Sequence, residues 1–459
     1  MIFKSFLDLM NMKKLSFTLV GALALVVVAC SSISTKLDFR DPAEDSAVLK
    51  SQKSEIYVPY KQITYGPNAH WFAYYDKNET DPTGRYVLAM RTSFEDRMPN
   101  STDTLEIGMV DTLDNCKWIK LGTSSAWGWQ QGCQLQFLPG TKSEVIWNDR
   151  ENGKYVSRIM DIYTKKVRTI PMPVYAVSPD GKWAVTVDYA RVNDMRPGYG
   201  YSGNADKYAD QKFPSEAGIW KVDLTTGETK LIVSHADVMK IPNNLDPEFA
   251  DAKHWFNHLL VSPDGQRFIF LHRWKYPDKE RREKYRGVGS FGTRMFTASA
   301  DGKDLRVIDP YNYTSHFIWS PDSKSVVAWT KIPHIKNDTK SFGFFDIADS
   351  NKENIKQVGK GVMLTNGHNT FLGNNPEWIL NDTYPIGEKR QQTIYLYNTK
   401  TNKRYDIAKL HMSSKLFSPL RCDTHPRSTP DGKKVIVDSN HSGKRQIYIF
   451  DVSSIVNAK

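Results

Sequence analysis

The chain has 459 residues, 40% of them hydrophobic and 25% charged, with 62 Lys and Arg against 51 Asp and Glu for a formal charge of +11. The cations are spread along the chain, with no polybasic tail and no arginine-rich helix, which excludes that kind of nucleic-acid footprint. A cationic exterior suits an acidic partner such as a uronic-acid or sulfated polysaccharide, or serves solubility alone.

The N-terminus is the most specific local signal. Lys13 and Lys14 precede an apolar run from Leu15 to Ala29. That is the length of a signal peptide, and short of the about twenty apolar residues a membrane span needs. Val27-Val28-Ala29-Cys30, followed by Ser31 and Ser32, resembles the lipobox of bacterial lipoproteins. The resemblance implies cleavage before Cys30 and lipidation of its thiol. An ordinary signal peptide or an uncleaved anchor helix is the alternative, and Met12 is a candidate initiator. Residues 1–29 are therefore expected as a lipoprotein signal peptide, 30–58 as a lipid-anchored polar tether and 59–459 as the folded, catalytic unit. The expected product is a monomer anchored in the bacterial cell envelope, where no nucleic acid is met.

Of the four cysteines, Cys116, Cys133 and Cys422 remain besides Cys30, too few for a disulfide framework. A Cys116–Cys133 bridge is open, and Cys422 is then left for burial or metal ligation.

The length allows two or three domains, but an internal repeat argues for one. Val177-Ser-Pro-Asp-Gly, Val261-Ser-Pro-Asp-Gly, Trp319-Ser-Pro-Asp-Ser and Thr429-Pro-Asp-Gly each join two short β-rich strands. Pro fixes φ, Asp bonds back to the backbone and Gly takes the left-handed conformation. Degenerate copies stand at Phe137-Leu-Pro-Gly-Thr and Phe371-Leu-Gly-Asn-Asn, and second hairpins end at Asp223, Asn398 and Asp451. Four strands at a spacing of roughly forty to sixty residues is the period of a propeller blade. Starts near residues 69, 130, 174, 257, 315, 367 and 424 give an all-β, seven-bladed β-propeller of four-stranded blades.

The first strand of each blade lines the channel, so polar residues there are informative. His258, His316 and His425 each stand four residues before the Ser or Thr of a Pro-Asp turn, and His368 has nearly the same place in its degenerate blade. Cys422 lies close to His425. Imidazole and thiolate are the ligands zinc prefers, so His258, His316, His368, Cys422 and His425 form a candidate structural zinc site, with manganese or calcium as alternative ions. Without a metal, these histidines bond blade carbonyls or substrate. A second constellation spans the first three blades: His70, Trp129, Gln130, Gln131, Arg150, Tyr175, Tyr189, Arg191, Arg196 and Tyr199. Most propeller aromatics are core residues. Adjacent glutamines and clustered arginines instead suit a cleft for a carboxylated sugar, with aromatics stacking on its rings.

The turn pattern looks like that of TolB-type propellers, a family that includes non-catalytic binding modules. Arg421-Cys422-Asp423-Thr424-His425-Pro426-Arg427, with Asp438, His441 and Arg445, resembles the propeller polysaccharide lyases, namely the ulvan lyases and oligogalacturonate lyases. Such enzymes cleave uronic-acid glycosides by β-elimination, removing the C5 proton and protonating O4. The work needs charge stabilisation at the carboxylate, a base and an acid. By resemblance to ulvan lyases, Tyr175 is base or acid, His70 its partner and Arg191 the carboxylate clamp, with Gln131 assisting. A tyrosine near an arginine has its ionised form favoured, which makes Tyr175 a candidate phenolate. Gln130, Arg150, Tyr189, Arg196, Tyr199 and Trp129 would line the substrate cleft. Oligogalacturonate lyases use a catalytic metal on a His/Gln set. The His-x-His pair expected there is absent, since Pro426 and Arg427 follow His425, so this reading ranks second. A hydrolase would need two paired carboxylates, and Asp76, Glu79 and Asp149 form no evident pair.

Overall fold

A computed structural model describes residues 36–285, 287, 290–332, 340–349 and 354–458. The expected signal peptide and Cys30 lie outside the described residues.

The Ser/Thr-Pro-Asp turns close as their residue types dictate. Ser178 Oγ donates to Asp180 Oδ1 at 2.6 Å and accepts from the Trp183 amide at 3.1 Å, while Asp180 also accepts from the Lys182 amide at 3.1 Å. The same three bonds recur at Ser262–Asp264, Ser320–Asp322 and Thr429–Asp431. Gly181, Gly265 and Gly432 take φ of 69°, 70° and 67°, and Ser323 takes 62° in the copy without glycine.

These four turns join the first and second strands of blades three, four, five and seven among seven antiparallel sheets. The innermost strands are Ala69–Trp71, Gln136–Phe137, Ala176–Val177, Lys253–Val261, Phe317–Trp319, Thr370–Phe371 and Arg427–Ser428. Each lies within a few residues of its expected start. The fold is a seven-bladed β-propeller of four-stranded blades. Apolar clusters fill the seams between blades, for example Phe256, Phe270 and Phe296 against Val185 and Ile219 between blades three and four.

The ring closes through the N-terminal segment. Tyr60–Gln62 is the outermost strand of blade seven, with Tyr60 opposite Phe450. Glu55–Ile56 adds a fifth strand to blade six opposite Lys409 and Ala408. This corrects the expected tether: Leu37, Leu49, Ile56 and Val58 are buried, so residues 36–58 are packed onto the disc. The sequence there looked polar because only these few positions face inward. Among the described residues no helix is long and apolar enough to cross a membrane. Cys116 and Cys133 are free thiols, without the bridge left open above.

Candidate active site

Tyr175, His368 and Arg421–His425 all precede the innermost strand of their blade, whereas the Ser-Pro-Asp turns follow it. They therefore gather at the end of the channel away from those turns. Phe72–Lys77, following the innermost strand of blade one, supplies the centre. Its amides at Phe72 and Ala73 are held by Asp438, and the Tyr74 and Tyr75 rings stand among the histidines. Tyr74 is 5.1 Å from His258 and 5.2 Å from His425, and Tyr75 is 5.3 Å from His368 and 5.8 Å from His316, centroid to centroid.

Three of the four expected histidines form a tight group. His316 and His368 lie 4.2 Å apart and His368 and His425 4.3 Å. His368 Nδ1 faces both Asp382 oxygens at 3.0 Å, which makes that nitrogen the donor and leaves Nε2 as the ring's ligand atom. His425 Nε2 is buried with no partner. Asp423 completes a set whose ligand atoms all lie within 4.8 Å of one another: His368, Asp423 and His425. An unpartnered imidazole nitrogen, a second imidazole oriented by a carboxylate and an anionic oxygen fit a divalent cation. His316 is engaged instead by Asn366 Oδ1 at 3.0 Å and the Tyr384 hydroxyl at 3.4 Å.

Cys422 is corrected to a core residue, fully buried with Met412, Leu416 and Leu420. Burial pushes its thiol up to about 12. Asp423 and His425 bring their ligand atoms together with that of His368, while Cys422 turns into the apolar cluster. A carboxylate two residues before His425 was the signal for Asp423.

His258 leaves the metal group for a different network. Its Nε2 lies 3.4 Å from Asp76 Oδ2 and 3.3 Å from the Tyr75 hydroxyl, with Lys77 Nζ 3.2 Å from Asp76 Oδ1. Burial pushes its pKa down to about 4, against the pull of Asp76. A register shift between Asn257 and Leu260 displaces His258 from the ladder. His258 and His425 both take positive φ, 51° and 39°, a conformation that costs energy outside glycine and clusters at functional positions.

Tyr175 sits beside them. Its hydroxyl donates to Gln131 Oε1 and accepts from the His258 amide, both at 2.9 Å. Burial, then the charge of Asp76, raises its pKa far above the ordinary value. The phenolate expected from a nearby arginine is therefore disfavoured, because desolvation outweighs the cation.

Arg191 is not near this cluster. Its guanidinium is saturated by the His254 carbonyl at 2.6 Å, Asp206 at 2.8 Å and the carbonyls of Tyr208, Gln211 and Lys212 at 2.9–3.1 Å, pinning the long loop of blade three. His70 shares no partner with Tyr175. It stacks edge-on to Trp118 at 5.4 Å, and burial pushes its pKa to about 4. Gln130 braces the Arg421 segment through the carbonyls of Pro419 and Arg421 at 2.8 and 2.9 Å. Tyr189 stacks on Tyr201 at 4.1 Å and bonds the Val174 carbonyl, and Trp129 packs on Trp71 at 4.8 Å, so both are core residues. Arg150 reaches the Ser101 carbonyl. Arg196 lies over the Tyr199 ring at 3.7 Å.

The arginine that sequence reasoning missed is Arg273, on the second strand of blade four. Only 3% of it is exposed, and its Nε and Nη1 have no partner among the described residues. Burial, then repulsion from Arg196, pulls its pKa down to about 9, while Tyr74, Tyr199 and Tyr175 are the nearby groups that raise it. An arginine in the apolar run Phe268-Ile-Phe-Leu-His-Arg-Trp274 was the signal for it.

No family model matches the chain. Among solved structures, an oligogalacturonate lyase in complex with manganese superposes with a TM-score of 0.63 at 16% identity, covering 93% of this chain and 98% of that one. The chain has the fold of an oligogalacturonate lyase. An oligogalacturonate lyase from Vibrio parahaemolyticus gives a TM-score of 0.59 at 15% identity, over 87% and 96% of the two chains. In sequence, an oligogalacturonide lyase of Pectobacterium atrosepticum is 22% identical over 247 residues, 51% of this chain and 55% of the relative. The oligogalacturonate lyase of Dickeya dadantii matches to the same extent. The chain spans about half the length of the curated relatives it matches.

Proposed function

We propose that this chain is a lyase that cleaves oligomers of an acidic uronate sugar by β-elimination, with galacturonate oligomers as the substrate in preference to ulvan. The observation that carries the reading is Arg273, a buried guanidinium with two unpartnered donors beside Tyr175, Tyr74 and Tyr199. A buried cation without an anion is costly, and a substrate carboxylate supplies the missing partner. The likeness to oligogalacturonate lyases supports the galacturonate alternative over the ulvan reading made from sequence.

In this reading Arg273, still charged at neutral pH, clamps the carboxylate and stabilises the enolate-like charge as the C5 proton leaves. His258 is the base. With a pKa near 4 it is neutral and ready to accept a proton, and Asp76 at 3.4 Å offsets the charge that follows. Tyr175 keeps its proton and donates it to O4, held in place by Gln131 and the His258 amide. Arg196, close enough to Arg273 to repel it, and the Tyr199 ring beneath its guanidinium stand at the same site. His368, Asp423 and His425 would hold a divalent ion, which supplies further Lewis-acid stabilisation at the carboxylate. Manganese is the ion of the solved relative, and the removal of Cys422 takes away the thiolate that favoured zinc over manganese or calcium. Export and lipidation of Cys30 at the bacterial envelope, with a monomeric disc, complete the proposal on the strength of the N-terminal sequence.

The test is the ultraviolet absorbance of the C4–C5 double bond during incubation with galacturonate oligomers. Wild type is expected to generate it and Arg273→Met to fail. Equal rates from the two proteins would remove Arg273 from the chemistry.

A further inference from the structure

Resting on the metal and substrate reading above, we propose that Arg421 is a specificity residue that couples a substrate carboxylate to the metal position. It holds Asp423 as a bidentate partner until a uronate takes that place. Arg421 Nε donates to Asp423 Oδ1, and Nη2 donates to Oδ2 at 2.6 Å, so both carboxylate oxygens are engaged. Asp423 is the anionic member of the His368, Asp423, His425 set. Its availability therefore decides whether an arriving cation meets a negative charge or an already neutralised pair.

The two partners differ in access. The Arg421 side chain is 20% exposed and that of Asp423 1%, so a ligand from solvent reaches the guanidinium first. The Arg421 guanidinium also lies over the Tyr384 ring at 4.5 Å, and the Tyr384 hydroxyl approaches His316 Nε2 at 3.4 Å. That stacking keeps the fork in place when its anion changes. A uronate carboxylate matches the fork as Asp423 does. Once exchanged, Asp423 faces His368 and His425 with its charge free. Linkage then requires the ion and the uronate to tighten each other's binding by one factor.

The experiment is a titration of the full protein with manganese, followed by the electron paramagnetic resonance of the free ion. Each titration is run alone, with galacturonate or with galactose. The monosaccharides have no glycosidic bond to break, so the readout is binding and not turnover. In wild type, galacturonate is expected to tighten manganese binding about tenfold and galactose to leave it unchanged. Arg421→Gln frees Asp423, so it is expected to bind manganese about tenfold tighter than wild type without sugar and to gain nothing from galacturonate. Arg421→Lys, which keeps the charge and loses the fork, falls between them. Unchanged or weaker manganese binding in Arg421→Gln, with galacturonate still tightening it, overturns the coupling while leaving the metal site standing. Failure of wild type to bind manganese more tightly than His368→Ala overturns the metal reading and the coupling with it.

Discussion

Arg273 and Arg191 are both buried arginines, yet they should respond oppositely to replacement by methionine, which roughly preserves volume. Arg273 has two unpartnered donors in a desolvated channel, close enough to Arg196 to be repelled by it. Leaving buried polar groups unsatisfied costs about 1–3 kcal/mol, so Arg273→Met is expected to be neutral or stabilising by about that amount. Its catalytic cost is the loss of a preorganised donor aimed at developing charge, about 2.7–4 kcal/mol or roughly 10²–10³-fold in kcat. Arg191→Met takes the buried guanidinium from Asp206, leaving it Lys253 at 3.4 Å, and removes the donor of four carbonyls. Breaking a buried pair in this way destabilises by about 3–5 kcal/mol. Urea denaturation at pH 7, with initial lyase rates, reads both effects. An Arg273→Met protein that is several kcal/mol less stable and inactive only in proportion would refute the reasoning and make Arg273 a structural residue.

Three further outcomes follow from other parts of the molecule. Asp382→Asn removes the acceptor that fixes the His368 tautomer and is expected to weaken manganese binding about 10–100-fold, read by calorimetric titration. His254 and His441 are buried neutral, with pKa values pushed down to about 3 by desolvation, and His70 to about 4. Their stabilising contribution is complete above the unfolded value near 6.5 and is lost as pH falls towards 4 and 3. The urea midpoint should drop steeply below pH 6.5, and less steeply in His441→Gln; a flat profile would contradict these burial states. Cys30→Ser is expected to abolish labelling by radioactive palmitate and to release the protein from the membrane fraction. Unchanged labelling would show that Cys30 is not the modified residue.

The architecture was legible because its determinants are local. A Ser or Thr, an Asp two residues on and a residue tolerating positive φ satisfy one another within a single turn, so four copies announced the repeat. The site was legible only in part. The His316, His368 and His425 cluster followed from a shared register, since equivalent positions in successive blades must meet at one axis. Cys422 and Asp423 were exchanged because the segment before the innermost strand of blade seven is irregular, and only folding shows which of two neighbours enters the apolar cluster. Arg191 and Arg273 were exchanged because nothing local distinguishes a saturated guanidinium from an unpaired one. The five acceptors around Arg191 come from His254 and residues 206–212, brought together only by folding. His258 stood in the metal ring by register, but the side chain of Asp76, from the opposite side of the channel, claimed its Nε2.

The central claim is that a carboxylate clamp, a neutral imidazole and a protonated phenol in this channel perform β-elimination on a uronate oligomer. The most direct measurement is chromatography and mass spectrometry of the products from galacturonate oligomers incubated with wild type, Arg273→Met and Tyr175→Phe. The expected result is an unsaturated uronate at the new non-reducing end with wild type and its near absence with both variants. Saturated products alone, or no cleavage of any uronate oligomer by a folded, manganese-supplied wild-type protein, would contradict it.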